Sequence, residues 1–448
     1  MLRKSFLHFF NSLKTINFSS DYVVYKYLSG LDYAFKQLLN KSGFKTENSN
    51  NRTISFVELF FQISFEFLIS LFSLFILIIF KKNRVGIWTS DYYNKLTRGD
   101  FRLGSFYNDL DKNSINFIEF VHRNPHGLKN TIYNFTKRKR LVIYTRCFDL
   151  LLSKFNSNNF KYEKNLKEYY LNYDRYFSQN HLYFWSWVLK NLGISTLMPW
   201  ELSSRQANLI FAAKLNKIKI IGFMHGAGMK EYMIHEFAKG VTLDNSIFDS
   251  YGVWSEWWKN YYVNNSDLYK KIDVIGFQRF KNIKLNTNKV KNILFIEEPL
   301  SNTDELIDYW KKISQMDLVF GLKIRKGTHT NFSKKISKYV KLSECFTESL
   351  TEAYEWSDLV IGSHSTAVIE ASMYNKHFLL LETSTWGNYY NLDSNYIINK
   401  TSNLNMIFNV KKNQNLNIIS SQFFGSHFKN NWLINEILRS HENTDVNK

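Results

Sequence analysis

From residue 84 onward the chain repeats one local plan: a short apolar run, an abrupt stop at small or polar residues, then a helical stretch. Residues 85–91, 140–144, 194–198 and 218–223 are such runs, with helical stretches at 184–191 and 204–215. The plan then recurs at 272–275, 293–296, 318–323, 358–361 and 378–381, and a final helix is expected at 430–440. Strands that alternate with helices at this spacing form a mostly parallel, doubly wound sheet, because a parallel pair needs a crossover helix between its strands. The two series predict an α/β chain of two Rossmann-like domains. With 448 residues and 44% hydrophobic composition, there is material for two cores and an extension. Only 3 prolines and 18 glycines argue against long low-complexity linkers. The expected division is a helical N-terminal region over 1–83, a first domain over 84–268 and a second over 269–448.

Residues 54–80 are the most apolar stretch. Their first half carries Glu58, Gln62 and Glu66, their second half is interrupted only by Ser70 and Ser73, and Lys81, Lys82 and Arg84 follow. Glu58, Gln62 and Glu66 are spaced by four and so share one helical face. That pattern fits an amphipathic helix in a membrane interface, ending in a basic cluster. A core helix packed on the first domain and a true span are the alternatives, although the clean apolar part is shorter than the roughly 20 residues a span needs. Lys and Arg exceed Asp and Glu by 19 charges, which favours a polyanionic partner. The basic residues are scattered and form no nucleic-acid-binding signature, so a membrane face or phosphorylated substrates fit better than nucleic acid. Cys147 and Cys345 lie far apart and form neither a metal motif nor a disulfide framework, as in a reducing cytoplasm. The first eleven residues lack the apolar core and cleavage site of a signal peptide.

In open α/β sheets ligands bind beyond the carboxyl ends of the strands, so the residues that end each apolar run are the informative ones. His225-Gly226-Ala227-Gly228 follows the run at 218–223. A histidine there can act as a base near neutral pH, and the glycines admit a ligand close to the backbone; an ordinary strand-to-helix turn is the plainer reading. Gly362-Ser363-His364-Ser365-Thr366 follows the run at 358–361 and opens a helix that carries Glu370. Hydroxyls and backbone amides at such a turn suit a diphosphate, and Glu370 is one turn further in, where it can accept from a ribose; simple N-capping by Ser363 or Ser365 is the alternative. Lys323-Ile324-Arg325-Lys326 can neutralise a departing phosphate. Gly276-Phe277-Gln278-Arg279 and Glu297-Glu298-Pro299 are expected to line the same crevice, solvated loops being the plainer alternative. Asp91, His126 and Glu201 are lesser acceptor-side candidates.

The order of these pieces resembles the GT-B enzymes of bacterial capsule, teichoic-acid and surface-carbohydrate synthesis, among them the CDP-glycerol glycerophosphotransferase and capsular polysialyltransferase families. The likeness covers residues 194–382. It rests on Ile221-Gly-Phe-Met-His225-Gly226, Val253-Trp-Ser-Glu256, Val274-Ile-Gly276-Phe-Gln-Arg279 and Asp358-Leu-Val-Ile-Gly-Ser-His-Ser365-Thr366 through Glu370. It implies a fold with two Rossmann-like domains about a central cleft. It also implies a metal-independent transferase that uses a nucleotide sugar as substrate and holds no separate cofactor. The acceptor would be a lipid-linked or growing polysaccharide, with the enzyme at the anionic inner face of the cell membrane. Ser365 and Thr366 would bind donor phosphate, with Gly276, Arg279, Glu297, Lys323, Gly362, Ser363 and Glu370 around it. His225 would stand on the acceptor side and Arg325 beside the leaving phosphate. These families carry Lys-x-His-Pro where this chain has Lys323-Ile-Arg325-Lys326, which leaves the donor nucleotide open. Asp109-Leu-Asp111 matches the metal-binding Asp-x-Asp of the other large glycosyltransferase fold, but it follows no apolar run and is expected to be a surface turn. A nucleotide-sugar epimerase of the same architecture and a non-catalytic assembly protein are the alternatives.

Overall fold

The computed structural model describes residues 56–80, 82, 84–90, 103, 106–122, 128–138, 140–153, 178–200, 202, 206–226, 246–277, 289–297, 303–324, 335–347, 349–384, 387–388, 390–429 and 431–445. Helix α1 (Phe56–Ile79) leads into strand β1 (Arg84–Ser90). Helix α2 (Phe106–Lys112), β2 (Phe117–His122), α3 (Leu128–Arg138), β3 (Val142–Tyr144) and α4 (Thr145–Ser153) follow. The first domain continues with α5 (Gln179–Asn191), β4 (Ile194–Trp200), α6 (Ala207–Leu215), β5 (Lys219–Phe223), β6 (Ser250–Val253), α7 (Glu256–Asn265) and β7 (Ile272–Val274). These strands form one seven-stranded sheet in the order β3-β2-β1-β4-β5-β6-β7, every pair parallel.

The second domain is built from β8 (Asn292–Ile296), α8 (Thr303–Ile313), β9 (Val319–Lys323), β10 (Leu342–Phe346), α9 (Leu350–Trp356), β11 (Leu359–Gly362), α10 (Thr366–Glu370), β12 (His377–Leu381) and β13 (Ile397–Ile398). Its sheet runs β10-β9-β8-β11-β12-β13, again all parallel. Helices α11 (Met406–Asn413), α12 (Leu416–Phe424) and α13 (Trp432–Asp445) close the described chain. The expected class, two Rossmann-like domains, is what the sheets show. The central strands read as unbroken apolar runs because both of their faces are covered: Leu359, Val360 and Ile361 are completely buried, as are Ile293, Leu294 and Phe295.

Two expectations about organisation need correction. Residues 272–274 were expected to open the second domain, but β7 pairs with β6 and completes the first sheet, so that sheet extends past residue 268. A short apolar run cannot declare which sheet it joins. The final helix also leaves the second domain. Between α12 and α13 the chain crosses back, with Phe277 N donating to Phe424 O at 3.0 Å and Lys429 N to Ile275 O at 2.7 Å. The buried Glu436 of α13 then accepts from Lys219 Nζ (3.2 Å), Lys271 Nζ (2.9 Å) and Ser250 Oγ (2.6 Å), at the amino ends of β5, β7 and β6. Burial alone would raise the Glu436 carboxyl, but the Ser250 hydroxyl and the two ammonium groups outweigh it and hold the group at about 2.

Helix α1 is amphipathic, as its spacing predicts, and its two faces are distinct. Gln62, Glu66, Ser70 and Ser73 are fully buried, while Phe60, Leu68, Phe72 and Phe75 are each more than half exposed. The polar stripe faces the protein, against β3, α3 and α4, and the apolar stripe faces outward. α1 is therefore neither a core helix nor a helix with its polar face in water. Asp109 and Asp111, expected in a surface turn, lie on helix α2.

Candidate functional site

Each sheet changes direction once. In the second, the chain runs outward from β8 through β9 to β10, then returns to β11 beside β8 and runs outward through β12 to β13. The crevice beyond β8 and β11 is thus a topological switch point, where such folds bind ligands. The carboxylate of Asp358, just before β11, fixes this pairing from the other end: its Oδ2 accepts from Lys291 N (3.0 Å) and Asn292 N (2.9 Å).

At the carboxyl ends the sequence-chosen residues gather. Glu297 follows β8 and is buried, and its amide donates to Lys323 O at 3.0 Å. Gly362 ends β11, and Ser363 and His364 follow it in buried positions. Ser365 caps α10, its hydroxyl accepting from Ala367 N at 3.4 Å. Thr366 is the first residue of that helix, half-buried, and Glu370 is its last, buried. Two fully buried tyrosines brace this turn. Tyr390 donates its hydroxyl to His364 O at 2.8 Å, and Tyr354 of α9 donates to Ala367 O. With the carbonyls on either side of Ser365 and Thr366 pinned, the turn holds its shape independently of a ligand, as a precise site requires. Sequence reading missed both tyrosines: neither ends an apolar run, and their partners are backbone atoms.

Lys323 stands one strand further out. Its ammonium donates to Ile324 O (2.6 Å) and Thr347 O (3.4 Å), on the β10 side, so these bonds tie the ends of β9 and β10 together. Gly276 has a packing requirement of its own. Its φ is +79°, and a Cβ there would lie 2.1 Å from His427 O, on the segment that crosses back to the first domain. Glycine is needed here for the close approach of two backbone segments. Arg279 and Arg325 lie outside the described residues, as do Asp91, His126, Glu201, Ala227, Gly228, Lys326, Glu298 and Pro299.

The first sheet has its switch point between β1 and β4. Across its carboxyl edge an aromatic row follows the strand order β2-β1-β4-β5. His122 stacks on Trp88 with ring centroids 5.4 Å apart. Trp88 O accepts from Trp200 Nε1 at 2.6 Å, and Trp200 meets the half-buried His225 edge-on at 4.6 Å. Trp200 ends β4 with φ of 51°. A bulky residue in the left-handed region costs on the order of 1–2 kcal/mol, offset here by the indole hydrogen bond and burial. His225 thus stands against a fixed indole at a strand end. Trp88 was missed because a tryptophan inside an apolar run reads as core, and Trp200 and His122 because neither belongs to a run named from the sequence.

The chain thus consists of two tandem doubly wound, Rossmann-like domains, with a last helix that returns to the first domain.

No protein-family model matches the chain, and no curated protein matches it in sequence. Solved structures resemble it at low identity. A glycosyltransferase from Rickettsia africae shares 13% identity over 81% of this chain and 98% of its own, with a TM-score of 0.46. TarM from S. aureus, solved with UDP and alpha-GlcNAc-glycerol, shares 13% over 81% and 99%, with a TM-score of 0.45. A UDP-N-acetylglucosamine 2-epimerase shares 12% over 78% and 93%, with a TM-score of 0.43. Among the described residues no group of three or more His, Cys, Asp or Glu could hold a metal ion.

Proposed function

We propose that the protein transfers a sugar from a nucleotide-sugar donor to a lipid-linked or growing surface polysaccharide, of capsule, O-antigen or teichoic-acid type. One observation carries the reading: the turn picked from sequence for its phosphate chemistry, Ser363 to Thr366, stands at the switch point of the second sheet, braced on both sides by tyrosine hydroxyls. The Ser365 and Thr366 hydroxyls and nearby amides would hold the donor diphosphate, with Glu297 and Glu370 toward the nucleoside. Arg325 and Lys323 would stabilise charge on the departing diphosphate. His225, oriented by Trp200, would take the proton from the acceptor hydroxyl. This assignment gives no role to a metal.

The test is incubation of the purified chain with UDP-, GDP-, dTDP- and CMP-sugars and CDP-glycerol, with and without a lipid-linked acceptor. Acceptor-dependent release of free nucleotide supports transfer. Conversion of the donor to an isomeric nucleotide sugar would establish the epimerase reading instead. Failure to bind any nucleotide would leave a non-catalytic assembly role. A glycerophosphoryl donor that alone turns over would narrow the group transferred.

A further inference from the structure

The outward face of α1 is apolar along its whole length while its polar residues point inward, and that inversion has an identifiable cause. β3 is an edge strand, and edge strands carry unpaired backbone groups that must be covered. Ser70 Oγ accepts from the edge amide Tyr144 N at 2.9 Å and donates to Glu66 O at 2.6 Å. Gln62 Nε2 donates to Glu66 Oε1 (3.0 Å) and to Thr131 Oγ1 of α3 (2.8 Å). At the far end the Arg84 guanidinium donates to Leu77 O at 3.2 Å and to Phe80 O, which closes the last turn of the helix onto β1. A cation at a helix carboxyl end is itself favourable. The helix is therefore clamped to the domain through its polar side.

What remains outside is a stripe formed by Phe60, Phe61, Leu68, Phe72, Phe75 and Ile79, each more than half exposed, at helical spacing. By length and composition the helix could cross a membrane. Its 24 residues extend about 36 Å, far longer than the isolated apolar residues normal on a soluble surface. The neighbouring helices α3 and α4 add exposed Ile132, Tyr133 and Leu151. Cations accompany the stripe: Lys82 just past the helix end, and Lys129 and Lys137 on α3, are exposed, and the whole chain carries +19.

We infer that α1 is a membrane-seating helix that lies flat on an anionic lipid surface, with its apolar stripe in the acyl boundary and the first domain standing on it. A spanning arrangement is disfavoured by the same bonds, since withdrawing α1 from the domain would break the Gln62–Thr131 bond, leave the Tyr144 edge amide without Ser70, and place Gln62 and Glu66 in hydrocarbon. The occupant is lipid because the stripe is long and flanked by cations, the combination by which interfacial helices bind anionic bilayers. The surface lies at β3, the edge of the first sheet opposite β7, so the aromatic row of that sheet would ride above the membrane. This inference stands on the helix alone; vesicle binding is read without any nucleotide, so its failure leaves the transferase reading untouched.

The test is flotation of the full-length protein with vesicles of 30% phosphatidylglycerol in phosphatidylcholine, beside pure phosphatidylcholine vesicles. The wild type should float with the anionic vesicles and at least about tenfold more weakly with the neutral ones, since each basic residue near the surface contributes roughly a fivefold factor. Phe72→Glu/Phe75→Glu should weaken binding by about 100-fold or more. Phe72→Ala/Phe75→Ala, which adds no charge, should weaken it by a smaller factor, and circular dichroism of both should match the wild type. Release from the vesicles by alkaline carbonate supports flat seating, whereas retention would show a span and overturn it. Wild-type protein that stays off the vesicles overturns the inference outright, as does a dimer that only the Phe72/Phe75 variants disperse, which would make a second copy the occupant.

Discussion

Asp149→Asn should stabilise this protein at neutral and alkaline pH. Asp149 lies on α4, where Trp185 Nε1 (2.8 Å) and Asn208 Nδ2 (3.2 Å) both donate to the same oxygen, Oδ1. Enclosure of the carboxyl raises it to about 7, and the two hydrogen bonds only partly counter that. Its ordinary value is 3.8, so the folded protein keeps the proton where the unfolded chain has lost it. Stability should fall as pH rises from about 4 to 7, then level off. A shift of about 3 units corresponds to at most ~4 kcal/mol; because the residue is only part-buried by surface, we take about 2–3 kcal/mol. Asparagine keeps an Oδ1 that can accept both bonds and carries no charge, so the variant should recover most of that amount at pH 8 and little of it at pH 4. Urea unfolding of both proteins at pH 4, 6 and 8, followed by tryptophan fluorescence, gives the difference directly. A variant less stable than wild type at pH 8, or a difference that does not change with pH, would refute the reasoning.

Three further outcomes follow from the same structure. Glu436→Gln should lower stability by about 1–2 kcal/mol at pH 7 by removing charge-assisted bonds to part-exposed lysines; because the folded value is about 2, the loss should persist above pH ~4.5 and shrink as pH falls toward 2, as thermal melts across that range would show. Gly276→Ala should destabilise by about 2–4 kcal/mol, since the new Cβ meets His427 O at 2.1 Å at a positive φ; a soluble variant with an unchanged urea midpoint would contradict the crossing geometry. Tyr390→Phe should cost only about 1 kcal/mol in stability but weaken nucleotide-sugar binding severalfold by loosening the turn at His364, which calorimetric titration distinguishes from a purely structural loss.

The fold class was legible because parallel strands buried on both faces announce themselves as bare apolar runs: β5, β8, β9 and β12 all stand where the runs at 218–223, 293–296, 318–323 and 378–381 placed them. β6 and β10 escaped for opposite reasons. Ser250-Tyr-Gly-Val253 is too short and mixed to stand out, and Leu342–Phe346 is a largely exposed edge strand whose polar residues face water. The glycines and hydroxyls at 362–366 could be chosen from sequence because the residues after a parallel strand have few other duties. The role of Gly276 could not, since the demand for glycine comes from His427, about 150 residues later in the chain. The inverted helix was hidden too, because hydrophobic periodicity fixes the angle between two faces and says nothing about which one the protein covers. Here the bonds of that polar side to the Tyr144 edge amide and to Thr131 decide it.

The central claim is that the turn from Ser363 to Thr366 receives the diphosphate of a nucleotide sugar. Calorimetric titration of the wild type and of Ser365→Ala/Thr366→Ala with the nucleotide diphosphate that most raises the melting temperature tests it directly. The wild type should bind with a well-defined affinity that falls by about tenfold or more in the double variant, from loss of two hydroxyl bonds at roughly 1 kcal/mol each, with the fold unchanged. An affinity that is the same in both proteins would contradict it.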